Sequence, residues 1–187
     1  MTPRVKEKYQ NEVAAKVAEQ FGITNVHARP KLSKIVVNVG MGRELDGAKL
    51  KPHVRDQVLN DLAAITGQKP VLVQAKKSVA NFKVREGYNT GAMVTVRGDR
   101  MWELFDRLFT LAVPRVKDFR GLKDTSFDQK GNYSFGIQEQ GIFPEINMAD
   151  ATYSHGMNVN IVIENSDSEK SRYLLAELGV PFKRDDD

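Results

Sequence analysis

Two segments far apart in the chain alternate apolar and polar residues with a period of two. Within 34–40, one face carries Ile35, Val37 and Val39 and the other Lys34, Val36 and Asn38. Within 157–164, one face carries Val159, Ile161 and Ile163 and the other Asn158, Asn160, Val162 and Glu164. Successive side chains of a strand point to opposite faces, so each run buries one face and leaves the other open. The chain is therefore constrained to form a sheet with one face in a core and one face free for solvent or a partner.

Helical periodicity and further strand-like runs occupy most of the remaining chain. The predicted helices are 2–21, 50–66, 100–113 and a last one from Ser166 or Asp167 to Leu178, and the additional strands are 71–74, 92–97 and 132–138. Thr2 and Asp99 are placed to cap the first and third helices. We predict an α+β fold with a mostly antiparallel sheet, helices covering one of its faces, in a single domain spanning residues 1–187.

A long basic segment connects the predicted strands 71–74 and 92–97. Its seventeen residues, Ala75–Gly91, exceed the roughly two to five that a tight hairpin turn needs. Its charged residues are Lys76, Lys77, Lys83 and Arg85 against the single acid Glu86, and its aromatic residues are Phe82 and Tyr88. We call this long, β-hairpin-like loop the arm. Because a segment this rich in charge and glycine buries little surface, we expect it to be mobile when free.

The positive charge of the chain is concentrated around the arm. Residues 67–100 contain seven basic and two acidic residues, a surplus of five, while the whole chain carries +4 at pH 7, so all other residues together carry −1. A basic lobe on a chain with a pI near 9.2 indicates a polyanionic partner, most simply nucleic acid. The alternative is a solvated loop whose lysines serve solubility.

The open face of the predicted sheet displays Asn38, Thr95, Arg97 and Asn160. Asparagine is depleted from strands, so its occurrence within the apolar run 34–40 is unexpected. The side chains of Asn38 and Thr95 are short and polar, as hydrogen bonds to sugar hydroxyls or base edges require. The same residues are equally typical of a solvated sheet face, and from the residues alone both interpretations stand.

Catalytic and metal-binding patterns do not emerge from the sequence. The chain contains no cysteine, which excludes disulfides, thiol catalysis and cysteine–zinc sites. His27, His53 and His155 show no metal-ligand spacing, and we expect each to be a surface or loop residue. The segment Gly40–Gly42 follows a strand, as in dinucleotide-binding loops, but the third glycine of that motif is replaced. We therefore expect a non-catalytic nucleic-acid-binding protein that uses no metal or cofactor. The alternative is a small nucleotide-binding protein or enzyme that uses these glycines.

No association with a membrane is expected. No apolar run approaches the roughly 20 residues that cross a bilayer, and the charged, periodic N-terminus is unlike a signal peptide. A reducing cytoplasm fits a chain without cysteine.

Several longer strings occur in the order typical of one family. They are NVGMG (38–42), LAAITGQKP (62–70), AKKSVA (75–80), FKVREGY (82–88), VTVRG (94–98), VPRVKDFRGL (113–122), GNYS (131–134) and FPEI (143–146). Through them the chain resembles the bacterial-type protein five family of the large ribosomal subunit over essentially its whole length. The chain departs from the family pattern at Asn89-Thr90, Gly141 and Asn158, and the acidic tail Asp185–Asp187 extends it.

The resemblance implies a single ribosomal RNA-binding domain that acts as a structural constituent of the large subunit and not as an enzyme. In this family the protein binds 5S rRNA and anchors it in the central protuberance. The family positions that contact 5S rRNA match Asn38, Gln68 and Thr95. Arg97, on the same predicted face, is included among the expected rRNA-binding residues.

The resemblance also implies further partners in the ribosome. The long loop of the family matches the arm and approaches the P-site tRNA. The expected tRNA contacts are therefore Lys76, Lys77, Lys83, Arg85 and Tyr88. Other implied partners are 23S rRNA and protein thirteen of the small-subunit head, with which the family forms an inter-subunit bridge.

Overall fold

The computed structural model describes residues 2–46, 49–149 and 151–183. Within these ranges the longer helices are α1 (4–20), α2 (Pro52–Thr66), α3 (98–112) and α4 (Ser168–Leu178). The strands are β1 (Lys31–Gly40), β2 (Leu45–Asp46), β3 (Lys49–Leu50), β4 (Val71–Gln74), β5 (Asn89–Val96), β6 (Tyr133–Ile137) and β7 (Met157–Glu164). The tail Asp185–Asp187, predicted to be an extension, lies outside the described residues.

Five strands form one antiparallel sheet in the order β4-β5-β1-β7-β6, and β2 pairs with β3 in a separate small hairpin. In the pair β4–β5, Val71 lies opposite Met93 and Leu72 lies opposite Ala92. The alternation in the sequence reappears as alternating burial along β1 and β7. The predicted α+β class with a mostly antiparallel sheet is confirmed.

The chain divides into two compact units, each assembled from separate stretches of sequence. The first unit takes in 1–35, 96–135 and 160–187, and includes α1, α3 and α4. The second unit takes in 36–95 and 136–159, and includes α2, β4 and the arm. Among the described residues, no helix is long and apolar enough to cross a membrane.

The three helices of the first unit are joined by a buried core and by ion pairs at their surface. Val13 of α1, Phe105 of α3 and Leu174 of α4 are almost completely buried. Lys6 Nζ lies 2.6 Å from Asp99 Oδ1 and Lys16 Nζ lies 2.8 Å from Glu177 Oε2. These contacts connect α1 to α3 and α4.

Two predicted helix caps are wrong. The N-cap of α1 is Pro3 and that of α3 is Arg97, and neither side chain makes a capping hydrogen bond. Asp99 lies inside the first turn of α3, where its carboxylate pairs with Lys6 instead. The cap predicted for α4 is confirmed at Asp167, whose Oδ1 accepts a hydrogen bond from Lys170 N at 2.9 Å.

The first unit also contains a cluster of aromatic rings around Tyr133. The ring of Tyr133 lies 4.7 Å from that of Phe127 and 5.6 Å from that of Phe182, between centroids. Burial raises the pKa of Tyr133 to about 12. Its hydroxyl therefore stays protonated and donates a hydrogen bond to the carbonyl oxygen of Lys123 at 2.7 Å.

In the second unit, α2 buries the apolar stripe predicted from its period. Val54, Val58, Leu62 and Ile65 are each at most 1% exposed. The helix ends at Gly67, which has a left-handed φ of 66°, as expected for a C-terminal glycine. It begins at Pro52 rather than Leu50, because Leu50 pairs with Leu45 in the β2–β3 hairpin, which was not predicted.

Gly131 occupies a position that no larger residue fits. Its φ is +75°, and a Cβ built there would lie 2.5 Å from both the carbonyl oxygen of Asp167 and Oγ of Ser171. The backbone of the turn before β6 therefore lies directly against the first turn of α4.

We predict that Gly131→Ala lowers the free energy of unfolding by about 2–4 kcal/mol, because left-handed strain and overpacking add. Chemical denaturation followed by circular dichroism measures the change. Gly22→Ala is the matched control, since Gly22 also has a positive φ, 64°, but its Cβ would meet no atom within 4 Å. It should show only the backbone cost of about 1–2 kcal/mol, and equal effects of the two variants would contradict the close approach.

Candidate nucleic-acid interface

The open side of the sheet carries two of the predicted contact residues. Asn38 lies between Val37 and Val39 on β1, and Thr95 lies between Val94 and Val96 on β5; these four valines are at most 2% exposed. Because the valines point into the core, Asn38 and Thr95 point to the opposite face. β1 and β5 are neighbours in the sheet, so both polar side chains, each half-buried, lie on the same face.

Gln68 reaches Thr95 from the turn between α2 and β4. Its Nε2 donates a hydrogen bond to the carbonyl oxygen of Thr95 at 3.2 Å. Thr66 Oγ1 donates to the carbonyl oxygen of Leu62 at 2.7 Å and lies 3.2 Å from the carbonyl oxygen of Gln68, which fixes the turn. No donor among the described residues occupies Oε1 of Gln68, so this oxygen can accept a hydrogen bond from a ligand.

Arg97 lies beyond the end of β5 and belongs to the first unit. Its backbone is extended, with φ of −134°, at the N-cap of α3, and its side chain is exposed. The structure thus joins Gln68 directly to Thr95 and places Asn38 on the same face of the sheet as Thr95. Arg97 is an exposed cation two residues after Thr95 in the chain.

An exposed apolar pair lies on the same side of the sheet as Thr95. Val71 is 63% exposed and Met93 is 39% exposed, and the two lie opposite each other in the β4–β5 register. Met93 lies on the open face because it alternates with the buried Val94. Val71 shares that face because it lies directly opposite Met93 on the neighbouring strand.

The arm begins as a continuation of the β4–β5 hairpin. β5 starts at Asn89, three residues earlier than predicted, so the connection runs from 75 to 88. Ala75 N donates to the carbonyl oxygen of Tyr88 at 2.8 Å and Gly87 N donates to that of Ala75 at 3.0 Å. Further out, Val79 and Val84 form an antiparallel bridge.

The cations of the arm remain available to a partner. Lys76, Lys77, Lys83 and Arg85 are all exposed, and none forms an ion pair with another described residue. Phe82 is 75% exposed and lies in the 3-10 turn Ala80–Phe82, which connects the bridged residues Val79 and Val84. Tyr88, at the base of the arm, is half-buried. Four exposed cations and an exposed aromatic ring in one loop suit contact with phosphates and a base or ribose.

The geometry gives no support to a nucleotide loop at Gly40–Gly42. A dinucleotide loop leads from a strand directly into a helix whose N-terminus binds the phosphates. Here a single 3-10 turn and the hairpin β2–β3 follow, and α2 begins only at Pro52. In the part of the chain that the structure describes, no group of three or more metal-ligating residues comes together.

Each histidine was expected to be a surface or loop residue. His27 and His53 are exposed, as predicted. His155 lies in a loop but is buried, with Nε2 3.0 Å from Asp61 Oδ2. No local pattern signals this contact, because the two residues are 94 positions apart.

Comparison with known proteins identifies the family. The model of ribosomal protein L5 matches residues 25–85, and the model of that ribosomal family's C-terminus matches residues 89–182. The large ribosomal subunit protein uL5 of Leifsonia xyli is 51% identical over 97% of this chain and 91% of its own length. The uL5 proteins of Kocuria rhizophila and an Anaeromyxobacter species are 51% and 47% identical, over 97% and 98% of this chain and 94% and 100% of their own lengths. The chain therefore belongs to the ribosomal protein L5 family, whose members are structural proteins of the large ribosomal subunit and not enzymes.

Proposed function

We propose that this protein binds 5S rRNA through the open face of its sheet and anchors it in the central protuberance of the large subunit. Asn38, Gln68 and Thr95 make the contacts, with Arg97 contributing charge. The hydrogen bond from Gln68 to Thr95 carries the proposal, because it fixes residues from two elements as one surface. 23S rRNA is a further partner, and a bridge to protein thirteen of the small-subunit head completes the assembly.

The chemistry of the three side chains suits RNA better than a protein surface. Asn38 combines a donor and an acceptor in one amide, Gln68 retains a free acceptor, and Thr95 has a hydroxyl. Sugar hydroxyls and base edges of irregular RNA offer complementary groups. The exposed pair Val71 and Met93 adds apolar surface against which a base or ribose can pack.

We assign the arm a separate role, contact with the P-site tRNA. Lys76, Lys77, Lys83 and Arg85 provide the phosphate contacts, and Tyr88 supports the base of the arm. The arm leaves the sheet between β4 and β5, whereas Asn38 lies on β1, so the two sets of residues sit on different structural elements. A basic loop beside a polar sheet face can thus serve two RNA molecules.

We predict that Asn38→Ala or Thr95→Ala weakens 5S rRNA binding by about 1–3 kcal/mol, because each leaves a buried hydrogen-bonding group of the RNA without a partner. Gel-shift titration at several salt concentrations measures the dissociation constant, with an unrelated RNA for comparison. Asn11→Ala removes an exposed amide in the first unit and serves as control. Unchanged affinity in both test variants would remove the sheet face from the site, and equal binding of both RNAs by the unaltered chain would refute the proposed function.

For the arm we expect a different phenotype. Joint replacement of Lys76, Lys77, Lys83 and Arg85 by alanine should leave 5S rRNA affinity mostly intact and impair tRNA binding to the P site of reconstituted ribosomes. Exchanging the lysines for arginine and the arginine for lysine preserves the charge, and this variant should retain most of the tRNA binding. A collapse of 5S rRNA binding in the alanine variant, with an unchanged circular dichroism spectrum, would show that the two roles are wrongly divided.

A further inference from the structure

A polar cavity of about 460 Å³ opens beside Asn38 in the second unit. Its walls come from the ends of β1 and β6 and from the segment that leads into β7. The lining residues that matter here are Asn38, Gln138, Tyr153, Ser154, Gly156 and Asn158. The cavity thus continues the surface to which the 5S rRNA contacts are assigned.

Two glycines give the cavity its shape. A Cβ on Gly156 would lie 2.7 Å from the carbonyl oxygen of Ile137 and 3.0 Å from that of Gln138, so only glycine allows this segment to approach the end of β6. A Cβ on Gly136 would lie 3.4 Å from Asn158 Oδ1. The amide of Asn158 therefore lies over the bare backbone of β6.

Two glutamines fix the wall that precedes β7. Oε1 of the fully buried Gln140 accepts a hydrogen bond from His155 N at 2.8 Å, and its Nε2 donates to the carbonyl oxygen of Tyr153 at 2.9 Å. Oε1 of Gln57, on α2, accepts from Tyr153 N at 3.0 Å, and its Nε2 donates to the same carbonyl oxygen at 2.7 Å. Both polar groups of the Tyr153 backbone are thereby held by side chains.

His155 completes this buried network. Its side chain is 1% exposed, Nε2 contacts Asp61 on α2, and Nδ1 has no hydrogen-bond partner among the described residues. Burying polar groups costs several kcal/mol unless they are hydrogen-bonded, so the conformation of the segment depends on the bonds from Gln57 and Gln140 to its backbone. A surface segment held by such a network of polar side chains is therefore preorganised, which lowers the entropic cost of binding a ligand.

Three amide side chains that line the cavity, in contrast, have no partner within the described chain. Gln138 and Asn158 are exposed, and neither they nor Asn38 make a side-chain hydrogen bond to another residue of the described chain. A side-chain amide presents a donor next to an acceptor, which matches the mixed edge of a nucleobase. Tyr153, half-buried and stacked on His155 with centroids 6.1 Å apart, offers an aromatic surface for a base.

We propose that this cavity receives one unpaired nucleobase of the RNA bound on the open face. Gln138 and Asn158 hydrogen-bond its edge, and Tyr153 packs against its ring. The inference rests on the proposed 5S rRNA binding, because Asn38 belongs to both surfaces. A base within a duplex has its pairing edge occupied, so the cavity selects RNA in which one base is unstacked from its neighbours.

The test combines Gln138→Ala with Asn158→Ala in the full chain and uses bacterial 5S rRNA. We expect the dissociation constant to rise about fivefold to 150-fold, the range for losing one good amide–base contact. Dimethyl sulfate and a carbodiimide together probe the pairing edges of all four bases. One nucleotide that the unaltered chain protects should become reactive in the complex with the variant, while the other protected positions stay protected. Tyr153→Leu should expose the same nucleotide.

Asn11→Ala with Gln129→Ala is the matched control, because it removes two exposed amides elsewhere and should change neither affinity nor reactivity. Unchanged affinity and an unchanged reactivity pattern in the Gln138 and Asn158 variant overturn the cavity proposal while leaving 5S rRNA binding intact. Weaker binding with uniform loss of protection also overturns it, since no single base is then involved. Failure of the unaltered chain to prefer 5S rRNA overturns both proposals.

Discussion

Along β1, β5 and β7 every second side chain is packed into a core, and this packing fixes the register of the sheet. A shift of any strand by one residue would turn its buried side chains outward, at a cost of several kcal/mol. The same register decides what the open face displays. Asn38 and Thr95 point outward because Val37, Val39, Val94 and Val96 point inward. Asn38 and Thr95 are thus positioned by the core, whereas Gln68 is joined to Thr95 by its own hydrogen bond.

Strong periodicity is the part of the fold that could be predicted from the sequence. β7 was predicted with its observed bounds, and α2 was predicted to within two residues, because burial dictates both patterns. Local rules failed where distant contacts decide. Asp99 has the chemistry of a helix cap, but Lys6, 93 positions away, pairs with it. The prediction of a non-catalytic ribosomal protein in the cytoplasm is confirmed by the family. That prediction depended on motifs spread over many helices, strands and loops.

The helix α1 shows why periodicity alone does not give local geometry. Its apolar residues recur every four positions, at Val5, Tyr9, Val13 and Val17. On a regular α-helix such a stripe drifts by roughly 40° at each step, because four residues exceed one turn. A π-helical turn at Tyr9–Val13 widens the helix where the drift would accumulate, and Val5, Val13 and Val17 all remain buried.

In the second unit, some polar side chains form hydrogen bonds within the protein, and others have no partner among the described residues. Gln57, Gln140 and Asp61 are committed to the backbone and side chains of the segment before β7. Their hydrogen bonds could not be predicted, because each joins residues that are 13 to 96 positions apart. Asn38, Gln138 and Asn158 have equivalent side chains but no partner among the described residues. Side-chain amides on a rigid backbone, with nothing in the described chain to bind, are what recognition of an RNA base requires.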